Sequence, residues 1–106
     1  MASETRRLLL DAIFANIDGT QKELIDPLLD EIVFLEQRMK ELKQMPFITT
    51  HPRKPHMQKT TPAAKQYKEC SQSYMNAIRI LVSILRQQEI SEQDEMLKRL
   101  EEFMAT

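Results

Sequence analysis

A run of basic side chains is the part of this sequence best suited to binding chemistry. Residues 45–68 contain five Lys or Arg residues and no Asp or Glu. The five are Arg53, Lys54, Lys59, Lys65 and Lys68. Grouped cations with threonine and glutamine nearby can bind the phosphates of a nucleic-acid backbone through charge and hydrogen bonds. A charged loop that only faces solvent is the other interpretation, because five cations alone do not identify a nucleic-acid binder.

Catalytic and metal-binding patterns are not found in the sequence. His51 and His56, taken with Cys70, lack the paired short spacings of a zinc site, and the segment around the histidines contains no acid. A glycine-rich phosphate loop is also missing, since the chain has one glycine. The carboxylates stand beside Lys and Arg at helical positions, which is typical of a solvated face. We therefore expect a protein that is not an enzyme and that uses no metal or cofactor.

Length and composition favour one helical domain. The chain has 106 residues, one Gly, no Trp and six aromatic residues, and glycine-poor sequences rich in Leu, Glu and Lys are typical of helices. The lone cysteine, Cys70, cannot form an intramolecular disulfide, and its helical spacing predicts a buried apolar side chain. No apolar run approaches the roughly 20 residues of a membrane span. These features predict a soluble, intracellular protein.

Two apolar stripes flank the basic run. Their members recur at steps of three and four residues, which keeps one face of a helix against a partner helix. The first stripe is Ile25, Leu28, Ile32, Leu35, Met39 and Leu42, and the second is Ala63, Tyr67, Cys70, Tyr74, Ala77, Leu81 and Ile84. The pattern predicts an all-α fold. Its centre is a long antiparallel helical hairpin with a basic tip, flanked by short N- and C-terminal helices.

The boundaries follow from capping residues and prolines. We expect an N-terminal helix over 3–18, hairpin helices over 27–44 and 62–88, a tip over 45–61, and a C-terminal helix over 91–104 capped by Ser91. Asp26 and Thr61 each precede a proline and are predicted N-caps. Gly19 fits the left-handed residue that ends a helix. A continuous helix kinked at Pro27 is an alternative, and the tip is either a proline-rich loop or a short β-hairpin.

A second apolar face lies outside the stripes. It contains Leu29 and Val33 in the first hairpin helix, and Ile78 and Val82 in the second. The pairing of two helices leaves such a face uncovered. Either the terminal helices or another subunit must cover it, and we predict an interface between subunits of a homo-oligomer there.

The order of elements resembles a known family. The segments are LLLDAIFANI (8–17), IDPLLDEIVFLEQRMKEL (25–42) and TPAAKQYKECSQSYMNAIRIL (61–81). With the variable tip between the last two, they resemble the small terminase subunits of tailed bacteriophages, of the kind found in phages and prophages of Gram-positive bacteria. The likeness covers roughly residues 6–88. Its most specific part is the T-P-A-A-K opening of the long helix from Thr61 to Leu85.

The resemblance implies a role in viral genome packaging. Small terminase subunits are non-catalytic proteins that assemble into rings, bind viral DNA at the packaging site and regulate the ATPase and nuclease of the large subunit. It implies a homo-oligomeric ring in the host cytoplasm, with double-stranded DNA and the large terminase subunit as partners. The tip and the head of the third helix would face DNA, with Arg6, Arg7 and Lys22 as the alternative. A helical-hairpin adaptor that binds another protein and no nucleic acid is the competing hypothesis.

Overall fold

The computed structural model describes residues 3–88 and 90–106, and over these residues the protein is mostly helical. The described elements are α1 (Ser3–Ile13), α2 (Gly19–Leu42), β1 (Ile48–His51), β2 (Lys54–Thr60), α3 (Pro62–Leu85) and α4 (Ile90–Ala105). β1 and β2 form a two-stranded antiparallel sheet, so the β-hairpin predicted as one form of the tip is confirmed. None of the helices in the described residues is both long and apolar enough to cross a membrane.

The turn between α1 and α2 differs from the prediction. α1 ends at Ile13, earlier than the expected end at residue 18. Gly19 does not have a positive φ and instead begins α2, after Asp18. The physical reason is burial: Phe14 and Ile17 enter the core from within the turn itself. The chain therefore turns where these two side chains must point inward, and the glycine is not needed for it.

α2 is continuous through its proline, as in the alternative interpretation. Asp26 lies inside the helix, so the prediction that Asp26 is its N-cap is wrong. Pro27 lacks an N–H group and removes one helical hydrogen bond. Pro27 and Glu23, whose carbonyl loses that bond, are both exposed, so water can replace the missing donor. The buried side chains of Ile25 and Leu29, on either side of the proline, hold the helix against the core.

The helices contact one another in a cycle. α2 packs on α3, α3 on α4, α4 on α1, and α1 on α2. One side-chain hydrogen bond joins Gln21, near the start of α2, to Gln88, just after the end of α3. Another joins Arg38, near the end of α2, to Gln66, near the start of α3. The two helices therefore run in opposite directions. The stripe residues of α2 and α3 are buried or half-buried, as predicted. Cys70 is one of the half-buried residues. The most deeply buried side chains come from all four helices and from the turn between α1 and α2: Leu10, Phe14, Ile25, Leu29, Ile32, Leu42, Leu81, Leu85 and Leu100.

The predicted subunit interface needs correction. Leu29, Val33 and Ile78 are only 0%, 8% and 5% exposed, and Val82 is half-buried against the same cluster. Buried residues of α1 and α4, such as Leu10 and Leu100, belong to this cluster. The terminal helices therefore cover the second apolar face, and its side chains are not accessible to another subunit in the folded chain.

One charged network links all four helices. Arg6 of α1 donates two hydrogen bonds to the Glu36 carboxylate of α2, at 3.1 and 2.8 Å. The same guanidinium donates to the Phe103 carbonyl and the Thr106 hydroxyl at the end of α4, and lies 3.7 Å from the Phe103 ring centre. Tyr74 of α3 donates to Glu36 at 2.9 Å. The hydrogen bond to Glu36 raises the pKa of Arg6, while burial and the Glu36 carboxylate raise the pKa of Tyr74.

This network predicts an unequal cost for two arginine substitutions. Arg6→Ala leaves Glu36 half-buried with only Tyr74 as its partner, and we expect it to lower the free energy of unfolding by about 2 kcal/mol. Arg99 makes an exposed pair with Glu95 within α4. Arg99→Ala is the matched control and should change stability by less than about 0.5 kcal/mol. Urea unfolding followed by circular dichroism measures both values, and equal effects would contradict the role of Arg6.

Candidate nucleic-acid interface

The basic tip is anchored to the helices at its base. The ring centres of Phe47 and Tyr67 lie 5.4 Å apart, which joins the start of the tip to α3. The Thr61 backbone donates to the Phe47 carbonyl at 3.0 Å, and its hydroxyl donates to the Pro46 carbonyl at 2.7 Å. Thr61 also accepts from the Ala64 amide at 3.2 Å, so its predicted role as the N-cap of α3 is confirmed. One residue thus fixes both the tip and the start of the helix.

Beyond this base, the strands form an uneven pair. Ile48 pairs with Thr60, and the register is regular up to Thr50 opposite Gln58. The next pair is His51 with Lys54, so one step along β1 corresponds to four residues along β2. Extra residues of this kind bend a strand and increase its twist. Such an irregularity also interrupts the edge that a regular strand would offer for pairing with another chain.

All five predicted DNA-binding residues are exposed. Arg53 and Lys54 lie at the far end of the tip, Lys59 lies near its base, and Lys65 and Lys68 lie on the first two turns of α3. Within the described part of the chain, none of the four lysines makes an ion pair. Their charges are therefore available to an external anion.

The five cations are spread along the chain from the far end of the tip to the second turn of α3, and we call this series the row of cations. A strand advances about 3.3 Å per residue, which places Lys54 and Lys59 roughly 17 Å apart along β2. Lys65 and Lys68 extend the row onto the helix that follows. A row suits the repeated phosphates of an extended polyanion, whereas a small anion needs cations that converge on one point.

The alternative DNA contacts in α1 and α2 are occupied by internal ion pairs. Arg6 is bound to Glu36, as described above. Arg7 is paired with Asp11, with Asp26 at 3.3 Å and with Asp30 at 2.7 Å. These carboxylates raise the pKa of Arg7 despite the opposing effect of burial. Lys22 is similarly paired with Asp11 and Asp26, at 2.9 and 3.3 Å. Cations held in this way are less suited to phosphate than the lysines of the tip.

Two further exposed lysines lie outside the five predicted DNA-binding residues, and we do not count them among the proposed DNA contacts. Lys40 and Lys43 lie at the end of α2, one helical turn apart, and neither has an ion-pair partner among the described residues. The Lys43 ammonium lies 5.8 Å from the centre of the Tyr67 ring. Residues 1–44 contain nine acidic and six basic side chains, so their overall negative charge hides these two lysines. Their three-residue spacing next to the tip was the signal available in the sequence.

Residues suited to other chemistry do not converge in the described structure. His56 is exposed on β2, and the side chain of His51 lies outside the described part of the chain. Ser91 lies inside α4, which already includes Ile90, so the prediction that Ser91 is its N-cap is wrong. Cys70 is half-buried on α3 and unpaired with another cysteine. Among the described residues, no three His, Cys, Asp or Glu side chains are placed to hold a metal ion. The exposed row of cations is therefore the candidate site.

The anchor at Thr61 predicts a measurable loss of stability. Thr61→Ala removes both the cap of α3 and the bond to the Pro46 carbonyl, and we expect the free energy of unfolding to fall by about 1 to 2 kcal/mol. Thr60→Ala, at an exposed strand position, is the matched control and should change stability by less than about 0.5 kcal/mol. Both values come from urea unfolding. If Thr61→Ala unfolds at the same urea concentration as wild type, the cap does not support the helix.

Comparison with models of protein families, with curated protein sequences and with solved structures gives no match for this chain. The case for its function therefore depends on its own residues and their placement.

Proposed function

We propose that this protein is a non-catalytic DNA-packaging subunit of the small terminase type, acting in the host cytoplasm. In this proposal α2 and α3 are the arms of a helical hairpin, and the tip between them binds double-stranded viral DNA. The observation that carries the proposal is the exposed row of cations from Arg53 to Lys68, in a segment without any acid. The order of elements and the T-P-A-A-K start of α3 support the same family assignment.

The charge distribution favours binding through the tip. The chain as a whole has a formal net charge of −1, which gives no general attraction to DNA. The tip and the first turns of α3 contain cations and no acids, so this part of the surface attracts DNA although the chain as a whole does not. Salt screens repulsion between the acidic helices and DNA at separations greater than about 8 to 10 Å. The tip can therefore approach a duplex while the helices stay at a distance.

Assembly into a ring is the second part of the proposal. With Leu29 and Ile78 buried by α1 and α4, contacts between subunits must use other side chains. α2 exposes Leu24 and Phe34, at 73% and 62%, and α3 exposes Ile80 at 51%. Leu24 and Phe34 are ten residues apart in α2, which places them within about 80° of each other around the helix axis. This exposed apolar surface supports association between copies, and the large terminase subunit is the proposed partner of the assembled form.

The competing hypothesis is an adaptor that binds another protein and never touches nucleic acid. The same exposed Leu24, Phe34 and Ile80 favour it, because apolar side chains on a helix surface can equally receive a different chain. DNA binding through the tip distinguishes the two hypotheses.

A salt titration of duplex binding tests the DNA proposal. Each phosphate neutralised by the tip contributes about −0.9 to the slope of log K against log salt. We expect the variant with Arg53, Lys54, Lys59 and Lys65 all changed to Ala to bind more weakly and with a shallower slope than wild type. Because a ring presents many copies of the tip, binding should be strongest in the assembled form.

The control variant for this titration removes cations outside the tip. Arg79 and Arg99 are exposed on α3 and α4, and their replacement by Ala removes two charges far from the row. Its affinity and slope should match those of wild type at the same oligomeric state. Equal binding by wild type and the tip variant would identify the tip as a solvated loop and leave the adaptor hypothesis ahead.

The assembly proposal predicts a mass larger than that of a dimer. Light scattering coupled to gel filtration should show this mass for wild type and a smaller one for the double variant Leu24→Asp, Phe34→Asp. These side chains are exposed, so the variant should fold, which circular dichroism checks. Gln72→Asp, at an exposed position of α3, is the control and should assemble as wild type does. A concentration-independent mass near 12.5 kDa for wild type would end the ring proposal.

A further inference from the structure

A cavity of about 420 Å³ lies beside the network that links the four helices. Its lining includes Arg6 and Glu36 on one side, Lys40 and Lys43 from the end of α2, Tyr67 from α3 and Met104 from α4. This volume lies within the usual range of ligand sites, roughly 300 to 1,000 Å³. The cavity is separate from the row of cations, since none of the five predicted DNA-binding residues lines it.

The charges around the cavity do not balance. Glu36 is the lone acid in the lining, and its two oxygens already accept three hydrogen bonds from Arg6 and Tyr74. Arg6 and Glu36 therefore neutralise each other. Lys40 and Lys43 remain, with two positive charges and no ion-pair partner in the described residues. The lining of the cavity therefore has a net positive charge, which comes from Lys40 and Lys43.

The remaining walls are apolar or aromatic. Val33, Met39 and Met104 contribute aliphatic and thioether surface, and Tyr67 and Tyr74 contribute rings. Methionine side chains adapt their shape to varied apolar partners. A ligand that satisfies both parts of the lining must carry an anionic group and, beside it, an apolar group.

The opening of the cavity points to a peptide and not to a small metabolite. Lys40, Lys43 and Met104 are exposed at its rim, so a small ligand could not bury the 70–90% of its surface that is usual for such sites. A peptide gains further contacts along the helices outside the cavity. A DNA backbone would use the two lysines alone and leave the methionine and tyrosine walls without a partner.

We propose that this cavity binds an acidic peptide segment of a partner protein. An Asp or Glu of the peptide contacts Lys40 and Lys43, and a neighbouring apolar residue packs on Tyr67 and Met104. The site is independent of DNA binding by the tip. Its occupant also touches the Arg6 network, so binding at the cavity stabilises the junction of all four helices.

Fluorescence anisotropy with a short labelled peptide, in which Glu alternates with Leu and Phe, tests this proposal. Replacing both Lys40 and Lys43 with Ala should weaken binding about fivefold, as expected for two partly exposed ion pairs. Met104→Ser should weaken it about threefold through loss of apolar contact. The matched control replaces Lys65 and Lys68 with Ala, two exposed lysines outside the cavity, and should bind the peptide as wild type does. The same peptide with Gln in place of Glu should bind more weakly to wild type.

Duplex binding by the same variants separates this proposal from the one for the tip. We expect the Lys40 and Lys43 variant to keep its DNA affinity and the Lys65 and Lys68 variant to lose part of it. Equal binding of the Glu and Gln peptides, or an unchanged peptide affinity in the Lys40 and Lys43 variant, would overturn the peptide site. Loss of DNA binding in that variant with unchanged peptide binding would assign the two lysines to the phosphate-binding surface. If wild type binds the peptide but no duplex, the peptide site stands and the DNA proposal fails.

Discussion

The pairing of Arg6 with Glu36 is the interaction on which the arrangement of the four helices depends. It joins α1 to α2, and its two ends extend to α4 through Phe103 and to α3 through Tyr74. The contact with α4 spans 97 residues of sequence, so it forms only when the first and last described helices meet. Their meeting also covers Leu29 and Ile78. The charged network and the apolar core therefore both form when α1 meets α4.

The fold was predictable where the signal is local. The three- and four-residue steps of the stripes identified the buried faces of α2 and α3, and Thr61 before Pro62 identified a cap, because capping needs only neighbouring atoms. Local signals failed at Gly19 and Pro27, where burial of Phe14, Ile25 and Leu29 decides the backbone. They also failed for the second apolar face, since an amphipathic pattern shows that a face is covered but not which chain covers it.

For the candidate site too, some features were predictable from the sequence and others were not. Exposure of the tip lysines was predictable because a proline-rich segment between two helices has no apolar residues periodic enough to bury it. Sequence does not distinguish a free cation from a paired one. Arg7 and Lys22 each pair with one acid four residues away and also with acids on the neighbouring helix, whereas Lys40 and Lys43 have no ion-pair partner among the described residues. The cavity was beyond prediction, because its walls come from all four helices.

The two-stranded sheet has no core of its own. Every described side chain from Ile48 to Thr60 is exposed, and an isolated pair of strands is marginally stable in water. The order of the tip therefore depends on its base, at Phe47 and Thr61. The molecule consequently has two levels of stability, a cooperative helical body and a segment that can open without unfolding it. Substitutions along the strands can alter the exposed surface of the tip while the helical body keeps its fold, so the surface of the tip and the stability of the fold can evolve separately in this chain.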